Sequence, residues 1–116
     1  MRRLIACSIV ALLSTHALAA DSKDQVAVYG VGAIFCGKYL DAWDKGNNVL
    51  KIGALTWTQG FLTAINLQML LSKQNTLKFT EPEQINAYMQ KYCRDNPLKD
   101  FYSGAYQLAL DQAQPH

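Results

Sequence analysis

The chain has few of the side chains that make and break covalent bonds. Among its 116 residues are two histidines, His16 and His116, and three cysteines. His16 falls in a leader described below, and His116 is the last residue, where chains commonly fray. That argues against Ser-His-Asp and Cys-His nucleophilic sites. There is no CxxC, no HExxH and no glycine-rich phosphate loop. Charge is also scarce, at 17% of residues, and no basic run offers itself to nucleic acid or to an anionic membrane. Asp41 and Asp44 stand three apart and could share a cation, yet helix ends commonly carry such pairs for solvation. Tyr88, Tyr92, Tyr102 and Tyr106 form i, i+4 pairs that fit packing of one helix on the next better than a ligand cage. The expectation is a protein that is no enzyme and uses no cofactor or metal.

What is present at the amino end reads as a leader. In MRRLIACSIVALLSTHALA, Arg2 and Arg3 form a basic start, Leu4 to Leu13 a short apolar stretch, and Ala17-Leu18-Ala19 a cleavage site. Leu4-Ile5-Ala6-Cys7 loosely matches a lipoprotein box, but almost no apolar stretch precedes it. Residues 1–19 are therefore expected to be a cleaved signal peptide, and the chain to be periplasmic. Without Arg2 and Arg3 the eleven basic residues become nine, against nine acidic ones, so the exported chain is formally neutral. Loss of Cys7 leaves Cys36 and Cys93, an even pair in an oxidising compartment. We read them as a disulfide, the alternative being two buried thiols.

The rest reads as one helical domain, residues 33–112, after a mobile lead-in, 20–32, and before a short tail, 113–116. Lys45-Gly46-Asn47-Asn48 is a turn cluster that ends a first helix over Ala33–Asp44. A long second helix is expected from Val49 to Ser72. Thr80-Glu81-Pro82-Glu83 fits a capping box, with Thr80 as N-cap, for a third helix running to Arg94. Asn96-Pro97 then opens a fourth, Leu98 to Gln112. The fold class is all-α: a small four-helix, orthogonal or bundle-like domain with one disulfide between the first and third helices.

The second helix carries no charge from Ile52 to Leu71, the length of a membrane span. Six of those twenty residues are Thr, Gln or Asn, however, and at 100° per residue Thr56, Gln59, Thr63 and Asn66 share one narrow sector. Trp57, Phe61, Ile65 and Met69 lie on the opposite, wide arc, and Gly53, Gly60 and Ala64 line one border. A span would be apolar all round, so no membrane span is expected. The neutral polar stripe reads either as a plain solvated face or as a contact surface.

The segment YCRDNPLKDFY, Tyr92 to Tyr102, resembles the HdeA/HdeB acid-stress chaperones, the HdeB branch most closely. Phe35-Cys36-Gly37-Lys38-Tyr39-Leu40-Asp41 and Trp57 agree with that likeness. The resemblance implies a small helical periplasmic homodimer, opened by acid, that holds unfolding client proteins without ATP. It implies that the Cys36–Cys93 bridge keeps the acid state compact, and that Trp57, Phe61, Ile65 and Met69 contribute dimer or client surface. Protonating nine carboxylates would take the exported chain to about +10, which is compatible with acid opening. WTQGFLTAIN, Trp57 to Asn66, is also similar to the Tai class of type VI secretion immunity proteins. That likeness implies one specific partner, a cell-wall-degrading effector, whose cleft would receive Thr56, Gln59, Thr63 and Asn66 with Gly60 beside them. A generic periplasmic adaptor is the third reading.

Overall fold

In the computed structural model residues 26–115 are described; the leader, the start of the lead-in and His116 lie outside them. The described chain folds as four helices: α1 Cys36–Asp44, α2 Asn48–Leu71, α3 Pro82–Asp95 and α4 Phe101–Gln112. It is all-α, with no strand among the described residues. A bridge between Cys36 and Cys93, with Cα atoms 4.8 Å apart, joins α1 to α3. A short 3-10 turn, Gly30–Ala33, precedes α1.

Local chemistry explains where the helices begin: α2 starts one residue earlier than the sequence expectation, and α1, α3 and α4 start later. α1 begins at Cys36 rather than Ala33, because Ile34 and Phe35 are extended and spend their backbone on a distant partner. Phe101 N–H donates to Ile34 O and Cys36 N–H to Lys99 O, each at 2.8 Å. That small antiparallel bridge ties the start of α1 to the start of α4.

The same pairing delays α4. Pro97 does not open it; its carbonyl accepts from Gly37 N–H, and Asp100 becomes the cap. The Asp100 carboxylate accepts from the backbone N–H of Ser103 at 2.8 Å. For α3 the box is shifted by one residue: Glu81 is the cap, Pro82 the first helical residue, and Gln84 accepts Glu81 N–H at 3.1 Å. Proline is preferred at the first helical position, so the residue before it caps. α2 ends in a Schellman turn with Lys73 at φ 57°, where Gln74 N–H returns to Met69 O.

Tyr39, Met89, Cys36, Cys93, Phe101 and Leu108 are fully buried and form the centre. Phe101 is its hub, its ring 4.7 Å from Tyr39 and 6.0 Å from Trp57, so it holds α1, α2 and α4 together. α3 and α4 meet across Gly104, where a Cβ would stand 2.6 Å from the Tyr92 ring. The stretch expected as a lead-in is fastened from Tyr29 onward. Trp57 Nε1–H donates to Tyr29 O at 3.0 Å, and the indole lies flat over buried Gly32.

Candidate interaction face on the long helix

α2 has 24 residues and a length of about 36 Å. Its neighbours α1, α3 and α4 have nine, fourteen and twelve residues, so no single one can cover it end to end. Only Ala54 and Thr58 of α2 are buried, and the Thr58 hydroxyl is satisfied by Ala54 O at 2.9 Å. The opposite side is open along its whole length.

Along that open side Thr56, Gln59, Gly60 and Thr63 are all exposed. A Cβ built on Gly60 would meet nothing within 4 Å, so the room this glycine leaves is unused within the chain. The Thr63 hydroxyl folds back on Gln59 O at 2.8 Å. The side chains of Thr56 and Gln59 have no partner among the described residues. Asn66 has a different role: its Oδ1 accepts the N–H of Leu77 at 2.8 Å and fastens the strap that leads from α2 to α3.

The neutral stripe does not end in charge. Val49 and Ile52 extend it towards the start of α2, and Leu67, Leu70 and Leu71 towards its end, each between 56 and 84% exposed. Sequence reasoning had assigned apolar residues to the covered arc and missed these five. The signal was there in their spacing: 49, 52, 56, 63, 67 and 70 advance by three, four or seven, and so share one side. Lys51 is the charge on α2, and it sits away from this side, 4.7 Å over the ring of Trp43.

The aromatic residues expected to meet a partner are engaged within the chain. Trp57 stacks on Phe61 at 5.4 Å, and Phe61 meets Tyr102 edge-on at 5.5 Å. Ile65 and Met69 are half-buried. The structure thus separates the two sets: Trp57 and Phe61 clamp α2 onto α4 and the turn before α1, while Thr56, Gln59, Gly60 and Thr63 face outward.

Beside the stripe lies a groove of about 410 Å³ between α2 and the strap. Leu62, Leu77, Pro82 and Ile85 give it an apolar floor, Gln59 and Thr63 a polar edge. Phe79 stands at its rim, 84% exposed. Lys78 and Glu81 also line it. Such an arrangement can hold an apolar side chain and hydrogen-bond what surrounds it.

Some of the other charged groups pair, Lys91 with Asp95 at 2.8 Å among them. Asp41 binds Lys45 at 2.9 Å, and Asp44 lies 3.8 Å from Arg94. Among the described residues no three His, Cys, Asp or Glu side chains converge to hold a metal ion. No described helix is long and apolar enough to cross a membrane. Tyr88 donates to Asp111 at 2.5 Å, linking α3 to α4. That hydrogen bond, and after it one from Gln107, hold the Asp111 carboxyl below the usual carboxylate range. The chain matches no protein-family model, no curated protein and no solved structure, so its own residues carry the functional reading.

Proposed function

We propose that the protein is a periplasmic holdase that binds unfolding client proteins in acid, without ATP, and that the open side of α2 is where clients first meet it. The observation that carries this reading is the charge-free face of α2, aliphatic at both ends and neutral at its centre. Neutral and aliphatic groups do not titrate, so the face keeps its affinity for apolar segments at a pH that protonates every carboxylate. The likeness to the HdeA/HdeB chaperones points the same way.

Acid supplies the opening. Asp111 has a folded-state pKa below its unfolded value, so its contribution is present above the unfolded pKa and is lost as pH falls through the folded one. The tie from Tyr88 on α3 to Asp111 on α4 therefore weakens below the ordinary carboxylate range. Asp111→Asn is expected to flatten the acid limb of the unfolding midpoint plotted against pH, and an unaltered limb would remove Asp111 from the trigger. The Cys36–Cys93 bridge does not titrate and keeps α1 on α3 throughout.

The test is suppression of aggregation. The oxidised protein and an unrelated client are taken to about pH 2–3 and back, with dye binding followed in the same samples, well below the carboxylate range. Protection is expected in acid and to disappear in Cys36→Ser/Cys93→Ser. No protection at any pH would sink the holdase reading.

A second reading has its own support. The α2 face and the groove beside it are already open in the neutral fold, so a single dedicated partner could bind without any acid step. In that reading the protein is an immunity protein that blocks a cell-wall-degrading effector, with Gln59 and Thr63 set against the effector's cleft. One tight complex at neutral pH would favour it; broad binding confined to acid would favour the holdase.

A further inference from the structure

The groove between α2 and the strap holds two charges that the chain leaves unmatched. Lys78 and Glu81 both line it, three residues apart on the strap. The ion pairs among the described residues are Asp41–Lys45, Asp44–Arg94 and Lys91–Asp95, and neither Lys78 nor Glu81 belongs to one. They do not pair with each other either. Exposed charges are ordinary on an open surface. These two share a groove with the apolar floor of Leu62, Leu77, Pro82 and Ile85.

Three carboxamides complete the lining: Gln59, Asn66 and Gln112. Asn66 spends its Oδ1 on Leu77 N–H, and its amide nitrogen has no partner among the described residues. Gln112 gives only its backbone carbonyl, which accepts Lys78 N–H at 2.9 Å, and its side chain has no partner there. The Gln59 side chain has none. A carboxamide both donates and accepts, so it suits the N–H and the C=O of a peptide unit. A fatty acid would meet Lys78 and the floor but leave Glu81 and the amides unmatched. A ligand with an ammonium, a carboxylate, a peptide group and apolar side chains meets all of them. Its length follows from the strap: residues 78 and 81 are at most about 11 Å apart along an extended chain, the reach of two or three residues. The volume of about 410 Å³ is in the range of small-ligand sites.

We infer that this groove binds a short free peptide of two or three apolar residues in the neutral fold. Lys78 takes the terminal carboxylate and Glu81 the terminal ammonium, the carboxamides take the backbone, and the side chains lie on the floor. The inference does not rest on the holdase reading: it needs the closed fold and both free ends of the peptide, and acid protection needs neither.

The test is calorimetric titration of the oxidised protein at neutral pH with leucyl-leucine, with N-acetyl-leucyl-leucine amide and with octanoate. Leucyl-leucine is expected to bind with a Kd below about 1 mM and to shift the methyl resonances of Leu62, Leu77 and Ile85. Capping both ends of the peptide should weaken binding about ten-fold or more, and octanoate should bind no better than the capped peptide. Lys78→Met and Glu81→Gln keep side-chain length and remove one charge each. Each should weaken leucyl-leucine about three- to five-fold, what an exposed ion pair contributes, with helicity and melting temperature unchanged. The capped peptide should not distinguish either variant from the wild type. No binding of leucyl-leucine overturns the inference. Equal binding of the capped peptide overturns it too, as does octanoate binding as tightly as leucyl-leucine, or an affinity that neither substitution moves. A protein that binds leucyl-leucine without protecting clients would remove the holdase and keep the peptide site; protection without leucyl-leucine binding would do the reverse.

Discussion

Replacing Cys36 and Cys93 together by serine is expected to lower the free energy of unfolding by about 4 kcal/mol, the chain-entropy value for a loop of this size. The two positions are 57 apart in sequence and both are completely buried. Their loss therefore frees a long segment of the unfolded chain and also leaves two hydroxyls in an apolar centre. A domain of this size is stable by only about 5–15 kcal/mol in all, so the change takes a large share of it. Urea unfolding of the oxidised protein and of the double variant measures the difference directly. A loss under about 1 kcal/mol would mean that the helices hold α1 on α3 without the bridge, at odds with the entropic estimate.

The second large effect is expected at Phe101. Phe101→Ala should cost about 3–5 kcal/mol, the range for deleting a buried aromatic ring and leaving a cavity. Phe101 is 1% exposed, and its ring lies against both Tyr39 and Trp57. Its removal takes packing from α1, α2 and α4 at once. Because Trp57 is the indole that clamps the turn before α1, the same variant should shift tryptophan fluorescence to longer wavelength before the helices unfold. An unchanged emission at reduced stability would place the loss elsewhere in the core. Neither substitution touches the outward face of α2.

The helices were legible because their signals are local. Asn47 caps α2 by accepting Leu50 N–H at 3.1 Å, and Gly46 takes a positive φ in the turn before it, as the cluster Lys45–Asn48 implies. The disulfide was legible because the expectation of a cleaved leader leaves two cysteines, Cys36 and Cys93. The bridge between residues 34–36 and 99–101 was not legible, since two extended dipeptides brought together across more than sixty residues carry no periodic pattern. It is also what displaced the starts of α1 and α4. Asn66 is half-buried and holds the strap instead of facing outward, because periodicity gives a direction and no partner; that strap comes from eleven residues away.

The exposed leucines were missed for a geometric reason. Assigning apolar residues to a covered arc presumes that the cover is as long as the helix. Here the cover also lies on one side alone: Val49, Ile52, Leu67, Leu70 and Leu71 stay open because they stand on the side of α2 away from buried Ala54 and Thr58. What looked like a polar stripe is the centre of a longer neutral face. That face, more than any single residue, is what the proposed binding role rests on.

The central claim is that clients bind on this face, and it can be tested with two charges. Thr56→Lys/Leu67→Lys places lysines that remain charged in acid at exposed positions on the open side of α2. Aggregation of an unrelated client at about pH 2–3 is then compared for this variant and the wild type, both oxidised. The account predicts that protection is lost while helicity and the neutral-pH melting temperature stay the same. Full protection by a variant that folds normally would contradict it and move the client site off α2.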